Sequence, residues 1–388
     1  MYPMKKLVLR LTIILVSIII AFASIEAVLV VSGVNPIYQV NFEPPNYGSL
    51  ICDDEIGCRF NYDVVTADCT TPFHQTIRNC LINQDGHFDS DNFQTRSGLE
   101  THRILMLGDS FTFGYTADVG RSWVEVVEQS LLDLDVTIWN AGVPGSGTKN
   151  AILKLKHFGP KLNPQIAVLG FHLTDYYDNL LPIDQWFVLD TGESGGVWVK
   201  QYRLTDSLEV EKVSPTALYF RMQGVDVIDL SEWQRVLLST RIGTVALPRL
   251  MGLQVQTEPT NFLSRPDEWY APALEATAQY IEELKNIADQ SGIKLLVLII
   301  PDYTSMKWTT TTLDDIAYIL EETGISYITV EDLLTLDDYV NENPNDTHWN
   351  NSGHSKAGQR VGACLRDMLM NDYKWCEDAV TPSDWLDQ

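Results

Sequence analysis

Gly108-Asp109-Ser110-Phe111-Thr112-Phe113-Gly114 follows directly on the apolar run Ile104-Leu105-Met106-Leu107. A turn of small residues at the end of such a run lifts one serine to the tip of a buried strand, where its hydroxyl can meet a substrate. A serine hydroxyl is a weak nucleophile by itself and needs a base to take its proton. Near the C-terminus, Asp346-Thr347-His348-Trp349-Asn350 places an aspartate two residues before a histidine, amid polar turn residues. Together the two segments offer a nucleophile, a base and a carboxylate to orient the base, the set required for acyl transfer.

The elements that must carry these residues are legible from residue 101 onward, where short apolar runs alternate with helical stretches. The runs are Arg103–Leu107, Val136–Trp139, Ile166–Phe171, Ile293–Ile300 and Ile325–Val330, several of them near-continuous Val, Ile and Leu. That composition predicts parallel strands buried on both faces. Ser122-Trp123-Val124-Glu125 has the form of a capping box and predicts a helix through Leu132. Pro272 is expected to start a helix with Leu274, Ala278, Ile281, Leu284 and Ala288 on one face, and Gly292 to end it. A last helix from about Ser352 buries Ala357, Val361, Leu365 and Met368. Five strands alternating with helices predict an α/β fold, a doubly wound parallel sheet with its site at the C-terminal strand ends.

Two regions fall outside this alternation. Residues 34–100, rich in Pro, Asn, Asp and Cys, read as an irregular lobe packed on the core. Residues 182–270 separate the third and fourth strands and carry Trp186, Trp198, Tyr202, Tyr219, Phe220 and Trp233. They read as an insertion that leaves from the site's end of the sheet. Most of those aromatics are expected to pack within it rather than to stack on substrate.

The N-terminus has the flank and apolar length of an export segment. Lys5, Lys6 and Arg10 precede an uncharged run from Leu11 to Ile25, and a second apolar patch, Ala27–Val31, follows Glu26. A retained signal-anchor over residues 1–33 is the preferred reading, with Glu26 near its outer end. Ala21-Phe22-Ala23 has the small-x-small form of a cleavage site, so a cleaved signal peptide is the alternative. In either case the remainder faces out of the cytoplasm. The cysteines agree: Cys52, Cys58, Cys69 and Cys80 cluster after the anchor, Cys364 and Cys376 lie near the end, and none forms a CxxC pair. An even count in an exported chain predicts disulfides rather than zinc. Cys364 with Cys376 is the natural pair, and three pairings remain open among the other four. Of 388 residues, 27 are Lys or Arg and 52 are Asp or Glu, a net charge of −25. Such a surface repels phosphate backbones, so nucleic acid is not an expected partner.

Taken together, the motifs resemble those of the SGNH (GDSL-like) hydrolases. Gly108-Asp109-Ser110 resembles their first block and Asn140-Ala141-Gly142-Val143-Pro144-Gly145 their second. Gly170–Asp175 stands where their third block ends in Asn-Asp, and Asp346-x-His348 with Trp349-Asn350 resembles their last. The resemblance covers roughly residues 100–182 and 270–370. It implies a flavodoxin-like five-stranded fold, with a hydrolase domain over 101–376 interrupted by 182–270 and a tail from 377. The anchor, the Asp-Thr-His-Trp form and the wide insertion resemble an extracytoplasmic branch related to polysaccharide O-acetyl transfer proteins.

By that resemblance Ser110 is the nucleophile, His348 the base and Asp346 its orienting carboxylate. The N–H groups of Ser110 and Gly142 face the oxyanion, while Thr174 stands in place of the family's third donor, an asparagine. Asp109 and Asp175 border the substrate. His172, two residues before Thr174, points to the same face, and His354 packs near the site. The implied chemistry is two-step acyl transfer on a small ester or an acylated glycan, with no metal and no organic cofactor. The same triad would serve a polysaccharide O-acyltransferase, and a glycan-binding protein with weakened catalysis is the more distant reading. Gly142–Lys149 lacks the Gly-Lys-Ser/Thr of a phosphate-binding loop, and Asp89 and Asp91 lack calcium-loop spacing and read as surface.

Overall fold

The computed structural model describes residues 2–32, 42–43, 50–63, 81–89, 93, 102–180, 186–189, 197–200, 202–204, 210–212, 240–250, 266–301, 311–339, 347–376 and 379–381. They belong to two compact units, Met1–Pro45 with Gln185–Glu268, and Asn46–Asp184 with Trp269–Gln388.

The second unit is built on five parallel strands, β1 (His102–Gly108), β2 (Val136–Asn140), β3 (Ile166–His172), β4 (Lys294–Ile300) and β5 (Ser326–Thr329). Their order across the sheet is β5-β4-β3-β1-β2, the doubly wound α/β arrangement predicted. Every residue of β3 is buried, as the unbroken Ile-Ala-Val-Leu-Gly-Phe-His run requires. The strand order reverses between β1 and β3, so a crevice opens at their C-terminal ends. Among the described residues, the helices between the strands are α1 (Ser110–Phe113), α2 (Trp123–Ser130), α3 (Thr148–Leu162), α4 (Asp175–Leu180), α5 (Pro266–Gln290) and α6 (Thr311–Thr323), and α7 (Asn351–Met370) follows the last strand.

Helix α2 begins on the expected capping box, with Ser122 Oγ accepting from Glu125 N–H and the Glu125 carboxylate accepting from Ser122 N–H. Helix α7 buries Ala357, Val361, Leu365 and Met368 completely. One boundary differs from expectation: α5 starts at Pro266, so Pro272 lies inside it. Pro266 supplies the fixed φ favoured at a first helical position, and packing of the following turns carries the helix past the second proline. The buried face of α5 runs through Ala273, Thr277, Ile281, Leu284 and Ala288. Leu274 and Ala278 are only half-buried, one position round the helix.

Disulfides join Cys52 to Cys58 and Cys364 to Cys376. The first closes the hairpin of Leu50–Asp53 with Gly57–Phe60, which lies on α3 through a 2.6 Å hydrogen bond from Cys58 N–H to Asn150 Oδ1. Cys69 and Cys80 lie outside the described residues. Asp89, read from sequence as surface, instead accepts the Asn140 N–H at 3.1 Å.

Beneath that hairpin, Lys154 of α3 is fully buried with its ammonium nitrogen against His87 Nε2. His87 is itself buried and stacked on Phe93, with ring centroids 4.7 Å apart. Burial pushes both groups well below their usual range, and the Arg59 guanidinium adds to the effect on each. The unfolded chain therefore binds protons that the folded chain refuses, and stability from this pair rises with pH until lysine's ordinary range is passed. Lys154→Met is expected to melt above the wild type near pH 6. The gap should shrink toward about pH 10, where the unfolded lysine also loses its proton. Thermal melts of the two proteins across that range check it.

The first unit contains an N-terminal helix, Tyr2–Val31, whose segment Thr12–Val31 is long and apolar enough to cross a membrane. Glu26 within it accepts the N–H groups of Arg241 and Ile242 at 2.9 and 3.1 Å, at the start of the helix Arg241–Leu250. The helix N-terminus thus satisfies a carboxylate that an apolar segment could not. Phe42–Glu43 pairs with Trp186–Leu189, which pairs in turn with Val197–Lys200. Residues just past the N-terminal helix therefore join the insertion rather than the 46–100 segment, a non-local pairing that composition does not announce. Tyr219, Phe220 and Trp233 lie outside the described residues.

Candidate active site

β1 ends at Gly108, whose φ of +146° is open to glycine alone, and the chain turns there into α1. Asp109 caps α1, its carboxylate accepting the Phe111 N–H at 2.9 Å. Ser110 is the first helical residue, so its own N–H has no intrahelical acceptor. Gly114 closes the single turn in a left-handed conformation. The outcome is a half-buried Ser110 at the β1–β3 crevice, between fully buried neighbours.

His348 arrives from the loop before α7, and its Nε2 stands 2.7 Å from Ser110 Oγ. Its ring lies between Phe111 and Tyr115, with centroids 4.8 and 4.6 Å away. Asn350 anchors the loop: its N–H donates to Asp338 O at 2.8 Å, its side-chain amide to Asp337 O at 2.7 Å, and its Oδ1 caps α7. Trp349, fully buried, packs edge-on against Phe111. Asp346 lies outside the described residues. The same Asp-x-His spacing recurs at Asp85-Gly86-His87, where the imidazole faces Lys154 instead. The spacing is the same at both, and of these two histidines His348 is the one that contacts Ser110.

Gly142 does not have a free donor. Its N–H is held by Asn140 Oδ1 at 3.0 Å, and the lack of a side chain lets its backbone lie against Thr112 and Phe113 of α1. Another backbone donor lies three residues on. Val143-Pro144-Gly145-Ser146 forms a turn closed by Ser146 N–H to Val143 O at 3.2 Å, with Gly145 at φ +72°. The turn is pinned to the end of β1 by Val143 N–H to Gly108 O at 3.1 Å. Among the described residues the Gly145 N–H has no hydrogen-bond acceptor. The Pro-Gly pair, which marks a turn with φ > 0 at its third residue, was the available signal.

Thr174 follows β3, beside Ser110's strand, with its hydroxyl 2.8 Å from His172 Nδ1. His172 is buried, lies against the Phe111 ring at 4.3 Å between centroids, and donates its backbone N–H to Asp175 Oδ2 at 3.3 Å. Asp175 is buried as well and starts α4. His354, at the start of α7, is completely buried. Among the described residues no group of three His, Cys, Asp or Glu side chains is placed to hold a metal ion.

The Asp109 carboxyl lies well above its ordinary range. Burial raises it to about 7, the His348 imidazole and the Phe111 N–H pull it down, and Asp178 pushes it up again. A folded value above the unfolded 3.8 means that the folded chain keeps a proton the unfolded chain has lost. Its stability contribution is complete below about pH 4 and fades as pH rises through about 7. Asp109→Asn keeps the cap but has no proton to lose. The melting temperature of the wild type should therefore fall relative to that of Asp109→Asn across this interval and run parallel above it.

No family model matches the chain. An arylesterase from Vibrio mimicus is 27% identical over 77 residues, which are 19% of this chain. The chain spans 38% of the length of that curated relative. Among solved structures it is similar to TesA, with a TM-score of 0.39 and 11% identity over 69% of this chain and 99% of the other. It is also similar to the psychrotrophic esterase EstA from Pseudoalteromonas sp., with a TM-score of 0.37 and 10% identity over 69% and 98%. A lipolytic protein of the G-D-S-L family from Desulfitobacterium hafniense DCB-2 gives a TM-score of 0.34 at 11% identity, over 68% and 99%.

Proposed function

We propose that this chain is a serine ester hydrolase of the SGNH (GDSL-like) type, working by two-step acyl transfer. The observation that carries the reading is the 2.7 Å contact of His348 Nε2 with Ser110 Oγ, made between residues 238 positions apart. His348 Nε2 accepts the Ser110 proton as Oγ bonds to the ester carbonyl carbon. Collapse of the tetrahedral intermediate breaks the bond to the leaving alkoxide, which departs with the proton from His348. Water then attacks acyl-Ser110 with His348 again as base, releasing the acid and restoring the hydroxyl. Asp346, two residues before His348, holds the imidazole with its proton on Nδ1.

The oxyanion is met by the N–H of Ser110 and that of Gly145, at the two turns that close over the end of β1. Thr174 stands in the position of the third donor. The Thr174 N–H donates to His172 Nδ1 at 3.4 Å, so that nitrogen is an acceptor and takes the Thr174 hydroxyl proton as well, at 2.8 Å; the hydroxyl serves the oxyanion only if it turns away from His172. Asp109 and Asp175 are buried supports of the two turns, one capping the Ser110 helix and the other holding His172.

The catalytic domain is residues 101–376, interrupted by the 182–270 segment, and the N-terminal segment anchors it in a membrane. The apolar Thr12–Val31 helix and the two disulfides support a site outside the cytoplasm, acting on a short-acyl ester or an acetylated glycan. The test is hydrolysis of activated esters from acetyl to octanoyl by the full-length chain in detergent, beside Ser110→Ala. Serine-dependent turnover with a short-chain optimum is the expected result. Equal turnover by the two proteins would end the reading.

A further inference from the structure

The chain leaves the Ser110 turn through Tyr115 and Thr116, and Thr116 has φ +66°. In that left-handed region a branched Cβ crowds the backbone, and glycine would be at ease. Among the described residues it is the only β-branched side chain so held. Strain of this kind persists where surrounding contacts over-determine it, and such places cluster at functional sites.

The contacts are specific. Thr116 Oγ1 lies 2.5 Å from the carbonyl oxygen of Trp349, the residue after His348, and 2.5 Å from that of Tyr115. One hydroxyl proton cannot be directed fully at both. His354 resolves the choice: its Nδ1 accepts the Trp123 N–H at 3.3 Å, so its proton sits on Nε2, which lies 3.2 Å from the Tyr115 carbonyl. Tyr115 O thus already has a donor, so the Thr116 proton gives both carbonyls a partner when it is directed at Trp349 O. Two residues further, Asp118 N–H donates to Asn351 Oδ1 at 2.9 Å and Asn351 Nδ2 to Asp118 Oδ2 at 2.6 Å. The segment 115–118 is therefore fastened to 349–354, on both sides of the point where the Tyr115 ring meets His348.

We propose that Thr116 is a positioning residue for the base: its hydroxyl ties the Trp349 carbonyl to the Ser110 turn and so sets the distance from His348 to Ser110. The left-handed backbone is the geometry that aims this hydroxyl across the gap. The proposal rests on the reading of Ser110 and His348 as nucleophile and base, and assigns a part in it to a residue that touches neither the substrate nor the reacting atoms.

Three variants of the full-length chain in detergent test it. Thr116→Gly removes the hydroxyl and relieves the backbone, Thr116→Val removes the hydroxyl alone, and Thr116→Ser keeps it. Thr116→Gly should melt no lower than the wild type yet lose about tenfold or more in kcat on p-nitrophenyl acetate, with KM little changed, because small misplacements of a base are costly. Thr116→Val should lose as much, and Thr116→Ser should recover most of the rate. Hydrogen exchange of the 347–354 amides, which does not depend on turnover, should quicken in the glycine and valine variants but not in the serine variant. Unchanged exchange in Thr116→Gly, or a serine variant as impaired as valine, would overturn the proposal. Quickened exchange in a chain with no Ser110-dependent turnover would instead defeat the esterase reading while leaving the clamp in place.

Discussion

Ser110→Ala is expected to lower kcat on an activated ester by on the order of 10⁴–10⁶-fold while the protein melts within a few degrees of the wild type. The size follows from the division of labour at the site. On the proposed mechanism no acyl-enzyme forms without the hydroxyl, and His348 has no proton to accept from the Ser110 position 2.7 Å away. Only the backbone donors and substrate binding remain, and these give a small residue of catalysis over water. The fold should tolerate the change because Ser110 is half-buried and its Oγ is not needed to close α1. That turn is held by the Asp109 cap and by Gly114 and Tyr115 N–H groups donating to Ser110 O at 3.1 and 2.8 Å. A fluorophosphonate should label the wild type and leave the alanine variant unmodified. Labelling of both would move the nucleophile elsewhere.

The second large effect is on folding. Gly108→Ala should lower the melting temperature by roughly 5 °C or more, or prevent recovery of folded protein, since overpacking of a tight core site commonly costs about 1–3 kcal/mol before any backbone penalty. An added Cβ would fall 2.3 Å from Thr112 Oγ1 and 2.7 Å from the Gly170 carbonyl oxygen. Neither can withdraw cheaply: Thr112 is fully buried, and Gly170 is in the middle of β3 between two hydrogen-bonded strands. The φ of +146° adds a backbone penalty that any side chain incurs. Combining Gly108→Ala with Thr112→Ala should recover part of the loss, because it removes the closer of the two contacts; the coupling is read from melts of the single and double variants. Full additivity would mean that the Thr112 contact is not what opposes the side chain.

Gly108 and Ser110 were both visible in the order of residues, and for the same reason. A strand of Ile-Leu-Met-Leu followed by Gly-Asp-Ser states its burial, its turn and its helix cap within ten positions. Hydrophobic period, capping boxes and glycine turns act over one or two turns of chain, so the five strands, helix α2 and the last helix were all legible. The disulfide of Cys364 with Cys376 was legible because it spans 12 positions with no competitor nearby.

What composition could not reach was any contact between distant segments that more than one local pattern would satisfy. Asp85-Gly86-His87 and Asp346-Thr347-His348 have the same spacing, and only the packing of α3 against one histidine and of Ser110 against the other separates them. Gly142 and Gly145 both suit a second block, but the Asn140 side chain occupies the donor of the first. Thr116 has no motif at all; its role arises from a carbonyl 233 residues away. The sequence by itself determined the sheet, the Ser110 turn and the candidates for its partners, because those follow from short-range geometry and burial. Tertiary structure decided which histidine meets Ser110 and which N–H groups stay free, because hydrogen-bond partners are shared out only when the chain has closed on itself.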